Sequence, residues 1–345
     1  MENNPNVMRI NKKYRDKHIG KGKTMERKAG KYLKQALVIL AVLAGIFSVR
    51  PAGAADRLVP AQYATIQAAI TAAAHYDTII VAPGTYNENI SFNGKNLTLR
   101  STDPDDPNIV AATIIQGTGT TSVVKFTNKE NSSCLLAGFT ITGGAGATNG
   151  GGIAGNSTDT YPTISQCVIT GNSATSAGGG IWGCKGKISR CVIAGNTAVY
   201  GGGIAACNGL ILNCLICNNQ ADYGGGIHNC DGSILNCTIT QNTGTTQGVL
   251  NSCDGKLANC IIWGNTPDAF TNNTSVLTYC CWPEGTSGTG NISIDPNFVS
   301  SSDFHLAAGS GCIDTGLTTT TWLTVYEDLE GNFRPQDGDR SGSEI

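Results

Sequence analysis

Beyond residue 55 this chain has little positive charge. The first 55 residues hold 12 of the 23 Lys and Arg but only 3 of the 25 Asp and Glu, so the remaining residues carry 11 basic and 22 acidic side chains, a net charge of about −11. An acidic chain without a basic patch argues against nucleic acid and anionic membranes as partners. Histidine is scarce too: only His75, His228 and His305 follow residue 55, and none sits in a metal-ligand pattern.

Long apolar segments are also missing beyond the N-terminal region. Residues 36–49 form an apolar run of 14 residues, preceded by a basic stretch and followed by small residues at 51–55. Basic, apolar and small-residue regions in this order predict a secretory leader over residues 1–55, with Met25 as an alternative start. A membrane span needs about 20 apolar residues, which makes an uncleaved anchor the lesser alternative. We therefore expect a secreted or cell-surface protein with no membrane span after leader cleavage.

What the chain has instead is an internal repeat of 23 residues. Three sets of residues recur at this step: Cys191, Cys214, Cys237, Cys260; Cys184, Cys207, Cys230, Cys253; and Asn196, Asn219, Asn242, Asn265. A fixed period indicates stacked structural units. Helical repeats need about 33 residues or more, whereas these units are short and rich in Gly, Asn, Thr, Ile and Val, which favours short strands joined by turns.

Each unit predicts one coil of a right-handed parallel β-helix with three strands per coil. Strand alternation places the cysteines of the first set and the isoleucines two residues later on one inward face, so we predict a core ladder of Cys191, Cys214, Cys237, Cys260, Ile193, Ile216, Ile239 and Ile262. After Gly, Asn is the residue that best tolerates a left-handed backbone conformation. Its recurrence predicts a turn ladder at Asn213, Asn236 and Asn259.

The regions flanking the regular repeats are predicted to close the solenoid. Residues 64–74 are predicted to form an amphipathic helix that caps the open end of the core, and the first strands are expected at 78–82, 89–92 and 97–100. One longer unit is expected to bulge as a loop at 156–162. We predict a β-helix over residues 56–290 and a C-terminal tail, cap or anchor-like region over 291–345, which folds back over an outward apolar stripe that includes Leu215, Thr238 and Ile261.

Three segments of the chain resemble known β-helix proteins. Residues 64–101, ATIQAAITAAAHYDTIIVAPGTYNENISFNGKNLTLRS, resemble the start of right-handed parallel β-helix proteins of the pectin-lyase-like class. The GGGI…NCTIT…N repeats resemble bacterial surface proteins, including polymorphic outer-membrane protein repeats. The tail, DPNFVSSSDFHLAAGSGCIDTG…DLEGNFRPQDGD, is similar to the C-terminal region of exported β-helix proteins with a variable-anchor domain.

This resemblance implies a fold but leaves function open, because such families contain lyases, hydrolases and proteins without known activity. The chain contains no Gly-x-Ser-x-Gly, phosphate loop or HExxH. It also lacks the Arg and Asp clusters of pectate lyases and the paired Asp and Gly-His-Gly strings of polygalacturonases. Its tail does not close on the Asp-Ile-Gly-Ala-Tyr-like string usual there, so a complete and a truncated C-terminus both remain open.

Candidate binding residues nevertheless recur on the coils. Tyr200 and Tyr223 share one position of the repeat, and Trp182 and His228 lie on outward positions of the first strand, so these four form a candidate carbohydrate-binding face. The alternative is that the tyrosines only cover a turn. Asp231 and Asp254 share a turn position on adjacent coils, where paired carboxylates could bind Ca²⁺; ordinary Asx-Gly turn chemistry is the favoured alternative.

The 14 cysteines are interpreted mainly as small apolar core residues. In-register strands hold stacked Cβ atoms slightly too far apart for a disulfide, although an oxidising compartment leaves some disulfides open. No cofactor is predicted other than the candidate Ca²⁺. The sequence thus favours an exported, non-catalytic protein that binds a polysaccharide or cell-surface component as an adhesin or spacer. A polysaccharide lyase or glycoside hydrolase, and a structural envelope component, are the alternatives.

Overall fold

The computed structural model describes residues 53–126, 128–268, 270–285, 287–313, 315–316 and 328–331. The leader prediction therefore lies outside the described residues except at 53–55. From Ala54 onward the chain forms one compact unit, which contains both the coils and the C-terminal segment. None of the helices in these described ranges is long and apolar enough to cross a membrane.

Three parallel sheets form the body of the protein, as the repeat predicts. Sheet A holds the first strand of successive coils: β4 (Ile90–Ser91), β7 (Val124–Lys125), β11 (Ile153–Ala154), β15 (Ile181–Trp182), β18 (Ile204–Ala205), β22 (Ile227–His228), β26 (Leu250–Asn251) and β29 (Phe270–Thr271). Sheet B holds the second strand: β1 (Asp56–Val59), β2 (Thr78–Val81), β5 (Thr98–Ser101), β8 (Leu135–Ala137), β12 (Thr163–Ser165), β16 (Lys187–Ser189), β19 (Leu210–Leu212), β23 (Ile234–Leu235), β27 (Lys256–Ala258) and β30 (Val276–Thr278).

Sheet C holds the third strand: β3 (Gly84–Asn87), β6 (Thr113–Gln116), β9 (Thr140–Thr142), β13 (Val168–Thr170), β17 (Val192–Ala194), β20 (Leu215–Cys217), β24 (Thr238–Thr240) and β28 (Ile261–Trp263). Two short pairs, β10 (Ala147–Asn149) with β14 (Ala174–Ala177) and β21 (Gln220–Ala221) with β25 (Thr243–Gly244), follow some sheet C strands. Parallel neighbours joined by crossovers of this kind wind right-handed. The predicted all-β fold, a right-handed parallel β-helix with three strands per coil, is confirmed.

Residues at equivalent positions of successive repeats pair with each other in the sheets. In sheet A, Ile204 pairs with Ile181 on one side and with Ile227 on the other, which are its equivalents in the neighbouring repeats. In sheet B, Ile164 pairs with Ile188, its equivalent one coil later. The longer unit carries its additional residues between β11 and β12, where residues 156–162 form the predicted loop. Insertions therefore leave the stacked strands in register.

The interior is a narrow column of isoleucine, cysteine, leucine and phenylalanine. Ile193, Ile216, Ile239 and Ile262 are paired in register along sheet C, and each is at most 1% exposed. Burial of one such side chain contributes roughly 1.5–3 kcal/mol, so the column is the main source of stability. The cysteines at 191, 214, 237 and 260 occupy the turn into sheet C and are at most 2% exposed. Their thiols donate to main-chain carbonyls, as Cys214 Sγ does to Leu212 O at 3.3 Å.

The turn between sheets B and C uses a left-handed residue in each coil. Asn213, Asn236 and Asn259 have φ of 52°, 53° and 53°, and Gln166 and Arg190 adopt the same conformation one or more coils earlier. A left-handed backbone costs about 1–2 kcal/mol for most residues and least for Gly and Asn. The period thus selects Asn where the chain must turn sharply.

The Gly-Gly-Gly-Ile string before sheet A is required by backbone conformation and by close packing. Gly201 has φ +62°, in the left-handed region. A Cβ on Gly203 would lie 2.7 Å from the carbonyl oxygen of Gly226 in the next coil. Neighbouring coils consequently approach each other more closely here than any side chain would allow.

The N-terminal end of the column is covered by helix α1 (Ile66–Ala72), inside the predicted 64–74. Thr65 caps it, its Oγ1 accepting from Ala68 N at 3.1 Å, and Ile66, Ala69 and Ile70 are buried on the core. Strands β1 and β3 and helix α2 (Pro107–Ala112) were not among the predicted elements. They belong to coils that precede the regular repeat, where no periodicity marks them.

The C-terminal segment lies against the outer side of the solenoid near sheet C. Gln241 Nε2 donates to Ser301 O at 2.9 Å, and Arg190 Nε donates to Leu329 O at 3.3 Å. This placement covers part of the outward apolar stripe, since Leu215, Thr238 and Ile261 border the same space as residues 302–306. The division at residue 290 stays a prediction.

Candidate functional site

The aromatic face comprises Trp182, Tyr200, Tyr223 and His228, and three of its members are in contact. Tyr200 and Tyr223 are bridged neighbours on adjacent coils, and their rings stack with centroids 5.0 Å apart and planes at 19°. The ring of His228 lies 5.1 Å from that of Tyr200, tilted by 39°. The repeat therefore assembles a cluster of rings from equivalent and neighbouring positions of successive coils.

Trp182 lies two positions along sheet A from His228. Ala205 pairs with both of them and is 1% exposed. Tyr200 and Tyr223 belong to a row of bridged residues just before sheet A. In this row Ala177, a small residue, pairs with Tyr200 on the side opposite to Tyr223. The face of Tyr200 that points away from Tyr223 consequently meets only an alanine in that row, and Tyr200 is 38% exposed.

His228 is the titratable member of the aromatic face. Burial lowers its pKa, against a smaller opposing effect of the Asn251 side chain. Burial thus favours the neutral imidazole, which can act both as donor and as acceptor. Its Nδ1 is buried and has no hydrogen-bond partner within the described ranges.

Side-chain amides occupy the coils that follow the aromatic face toward the C-terminus. Asn251 follows His228 in register on sheet A, and it donates to Thr271 Oγ1 at 2.9 Å. Gln247 Oε1 accepts from Asn251 and, at 3.2 Å, from Asn272 Nδ2. The coils that carry these aromatic and amide groups are five in succession, which corresponds to roughly 19 Å along the axis at about 4.8 Å per strand.

Asp231 and Asp254 occupy adjacent turns as expected, but their carboxylates are used by the turns. Asp231 Oδ1 accepts from Asp254 N at 3.2 Å, and Asp254 Oδ1 accepts from Thr274 N at 2.8 Å. Hydrogen bonds from Thr274 lower the pKa of Asp254. Each carboxylate thus ties one coil to the next. Within the described part of the chain no three His, Cys, Asp or Glu side chains group in a way that could hold a metal ion.

A second candidate site, which the sequence did not indicate, lies where the C-terminal segment meets sheet C. A cavity of about 450 Å³ is bordered by Leu215, Thr238 and Ile261 on the coil side. Its other wall is formed by the C-terminal segment: Ser302, Asp303, Phe304, His305, Leu306, Asp328, Leu329 and Glu330.

His305 stands between two carboxylates on this wall. Its Nδ1 contacts Asp303, and its Nε2 lies 2.5 Å from Glu330 Oε1. Both partners, Asp303 first, raise the pKa of His305 above its ordinary value. The only sequence signal was the Asp-x-His spacing, whereas Glu330 comes from a distant part of the C-terminal segment and could not be assigned in advance.

The asparagines that mark the period are also interior residues. Asn172, Asn196, Asn219, Asn242 and Asn265 are at most 7% exposed and form a continuous chain of side-chain hydrogen bonds through the turn after sheet C. Their spacing is visible in the sequence but this role is not, because Asn is equally frequent in exposed turns.

Fold and surface together define a right-handed parallel β-helix protein with an aromatic and amide face. No protein-family model matches the chain, and no curated protein matches it. Among solved structures it is similar to a pectin methylesterase mutant crystallised with a hexasaccharide, at 11% identity and a TM-score of 0.45, over 70% of this chain and 93% of that one. We draw no functional conclusion from a likeness this distant.

Proposed function

We propose that this protein is an exported, non-catalytic β-helix that binds a polysaccharide through the aromatic face. The observation that carries the proposal is the stacked pair Tyr200 and Tyr223, extended by the His228 ring and, beyond the buried Asn251, by the amides of the half-buried Gln247 and the exposed Asn272. Aromatic rings supply large rigid contact area, and Tyr hydroxyls and amides supply hydrogen bonds to hydroxyl groups. This combination suits sugar units that repeat along an axis.

Charge favours a neutral polysaccharide over an acidic one. The chain beyond residue 55 carries a net charge of about −11, which repels polyuronates and sulfated glycans. Burial lowers the pKa of His228, which disfavours a compensating positive charge on the aromatic face. A role as adhesin or spacer follows from a binding face placed on a rigid rod.

The experiment is size-exclusion chromatography of the chain mixed with a panel of neutral and acidic polysaccharides. We expect co-elution with an intact neutral polysaccharide, lost in Tyr223→Ala and Tyr200→Ala. Tyr161→Ala is the matched control, because Tyr161 is 44% exposed and lies in the loop 156–162 away from the ring cluster. Equal binding by all three variants would overturn the assignment of the face, and no co-elution with any glycan would favour a structural envelope component.

A hydrolase remains the second candidate, favoured by the cavity beside the C-terminal segment. Glycosidases use paired carboxylates across a cleft, and Asp303 and Glu330 flank His305 there. In the same chromatography an enzyme would shift the polysaccharide to later elution. Loss of that shift in Glu330→Gln but not in Tyr223→Ala would place the activity in the cavity.

A further inference from the structure

Cys281 and Cys312 bring the end of the solenoid into contact with the C-terminal segment. Cys281 is bridged to Ile261 on one side and to Ile292 on the other, and it is 4% exposed. Cys312 lies further along the C-terminal segment and is half-buried. Each thiol shifts the pKa of the other: Cys312 lowers the pKa of Cys281, and Cys281 raises that of Cys312.

The segments that carry the two cysteines pack against the same stretch of chain, residues 294–296. Cys281 Sγ donates to Ile294 O at 3.1 Å. Gly311 packs so closely on Ile294 that a Cβ at this glycine would lie 2.3 Å from Ile294 Cδ1. Ser310 Oγ donates to Pro296 O at 2.5 Å and accepts from Cys312 N at 3.2 Å. The two cysteines are therefore held on the same side of residues 294–296.

Most of the other cysteines are stacked in parallel register, and besides burial the neighbouring thiols shift one another's pKa there as well. In the stacked sets, the backbone N–H of one cysteine faces the sulfur of the next coil, as for Cys214 N and Cys237 Sγ at 3.5 Å. Parallel register keeps such Cβ atoms about 4.8 Å apart, outside the roughly 3.5–4.5 Å that a disulfide needs. The twelve cysteines outside the pair are all buried, whereas Cys312 is the one cysteine of the fourteen that is not. An oxidant can therefore reach only the Cys281–Cys312 pair without opening the solenoid.

We propose that Cys281 and Cys312 form a disulfide bond once the protein reaches an oxidising compartment. The oxidant is a disulfide of a small thiol or of a thiol oxidase. Cys312, the accessible sulfur, displaces one thiol from it to give a mixed disulfide, and Cys281 then displaces the second thiol. Two cysteine thiols lose two protons and two electrons, and the oxidant is reduced to two thiols.

This bond closes a loop over residues 281–312 and fastens the C-terminal segment to the last coil. Within that loop Phe298 and Leu306 form the antiparallel bridge that carries His305 to the cavity wall. The disulfide would thus lock the C-terminal segment against the outer side of the solenoid after export, while the core cysteines stay reduced.

The test uses the full chain, purified with reductant and then equilibrated with oxidised and reduced glutathione. After acid quenching, denaturation and alkylation, we expect mass spectrometry to find twelve alkylated cysteines, two fewer than the fourteen present, and one cross-linked peptide pair joining residues 281 and 312. Fourteen alkylated cysteines, or a cross-link between two stacked core cysteines, would overturn the proposal.

Two variants assign the pair. In Cys312→Ser all remaining cysteines should be alkylated. In the matched control Cys217→Ser two of the remaining cysteines should still be protected from alkylation by the disulfide. Cys217 is buried on the outer side of sheet C and has no cysteine among the groups that shift its pKa. The mapping of the unmodified chain decides the question even if a variant fails to fold. The experiment involves no polysaccharide, so its outcome is independent of the proposed binding function.

Discussion

The side-chain amide of Asn219 donates to Asn242 Oδ1 at 2.9 Å inside the turn that follows sheet C. The backbone N–H of Asn219 donates to the same oxygen at 3.0 Å. Asn219 Oδ1 in turn accepts from both groups of Asn196. Each asparagine thus satisfies a buried backbone group of the preceding coil, which no apolar residue could do.

Asn219→Ala is expected to be strongly destabilising. It leaves the buried N–H of Asn196 without its acceptor and removes the hydrogen bond from the side-chain amide to the carbonyl of Ile193. An orphaned buried group costs about 1–3 kcal/mol and a lost hydrogen bond about 0.5–1.5 kcal/mol, so we expect a loss of about 2–4 kcal/mol in unfolding free energy. Urea denaturation followed by circular dichroism measures this.

Asn208→Ala is the matched control for that substitution. Asn208 lies in an exposed turn of the same coil and accepts from Asp231 N at 3.1 Å. A loss below about 1 kcal/mol is expected there, because water replaces the lost partner. Equal losses in the two variants would show that the interior amides contribute no more than ordinary turn residues.

Substitutions at Asn236 should separate backbone strain from side-chain contacts. Its φ is 53°, and its Oδ1 has no hydrogen-bond partner in the described ranges. Asn236→Gly should change the unfolding free energy by less than about 1 kcal/mol, whereas Asn236→Val should lower it by about 1–2 kcal/mol. Thermal unfolding midpoints give the comparison. Similar midpoints for the Gly and Val variants would contradict a conformational role.

The pKa values of the two histidines of the candidate sites should be shifted in opposite directions. Burial lowers the pKa of His228, while Asp303 and Glu330 raise that of His305. An NMR titration should therefore give a midpoint below the ordinary histidine value for His228 and above it for His305, with His305→Gln as the assignment control. Midpoints in the reverse order would contradict the described environments.

Attachment of the C-terminal segment should depend on pH through His305. A raised histidine pKa stabilises the folded state below the unfolded value of about 6.5, and that contribution is lost as pH rises through the folded pKa. His305 also lowers the pKa of Asp303, whose contribution is lost as pH falls through that depressed value. Because these groups are largely exposed, the effect is small. Proteolysis of the segment should be faster at pH 9 than at pH 6, and His305→Gln should remove the difference.

The buried pair Arg57 and Asp77 should matter far more than a surface pair. Asp77 is 1% exposed, lies 2.8 Å from Arg57 Nε and accepts from the backbone N–H of Ala55 and Ala74. Burial raises the pKa of Asp77, but these hydrogen bonds and the guanidinium lower it below its usual value. Its contribution is therefore lost as pH falls through that value.

Asp77→Ala is expected to cost about 3–5 kcal/mol, since it removes the carboxylate partner of a partly buried guanidinium and the acceptor of two backbone N–H groups. The exposed pair Lys129 and Asp159, 3.8 Å apart, serves as control, and Lys129→Ala should cost less than about 1 kcal/mol. Differential scanning calorimetry of the two variants provides the test. Comparable losses would show that burial does not set the strength of these pairs.

The regular coils could be predicted from the sequence because every coil meets the same constraints. Ile193 and Ile216 face the same column, and Asn213 and Asn236 make the same turn, so the same residue types are selected once in every coil. Helix α1 was predictable from its amphipathic pattern. Where the period ends, as at β1 and α2, prediction failed, because single short elements carry no repeated signal.

The sites were predictable only where they follow the period. Tyr200 and Tyr223 were found through their shared position, and their ring contact follows from register. Asp231 and Asp254 also shared a position, but the sequence could not show that the backbone N–H groups of the following coil occupy both carboxylates. His305 and Glu330 meet through tertiary folding of the C-terminal segment, on which the coil period has no bearing.

The asparagine chain is polar, and it ends at two different groups. Gly144 N donates to its first member, Asn172, and Asp268 Oδ1 takes the place of a further asparagine after Asn265. Between these ends every link is interchangeable. Removing or duplicating one whole unit of the repeat would leave each donor with an acceptor, so the molecule can change its length in steps of about 4.8 Å. Evolution can thus set how far the protein reaches without redesigning its interior.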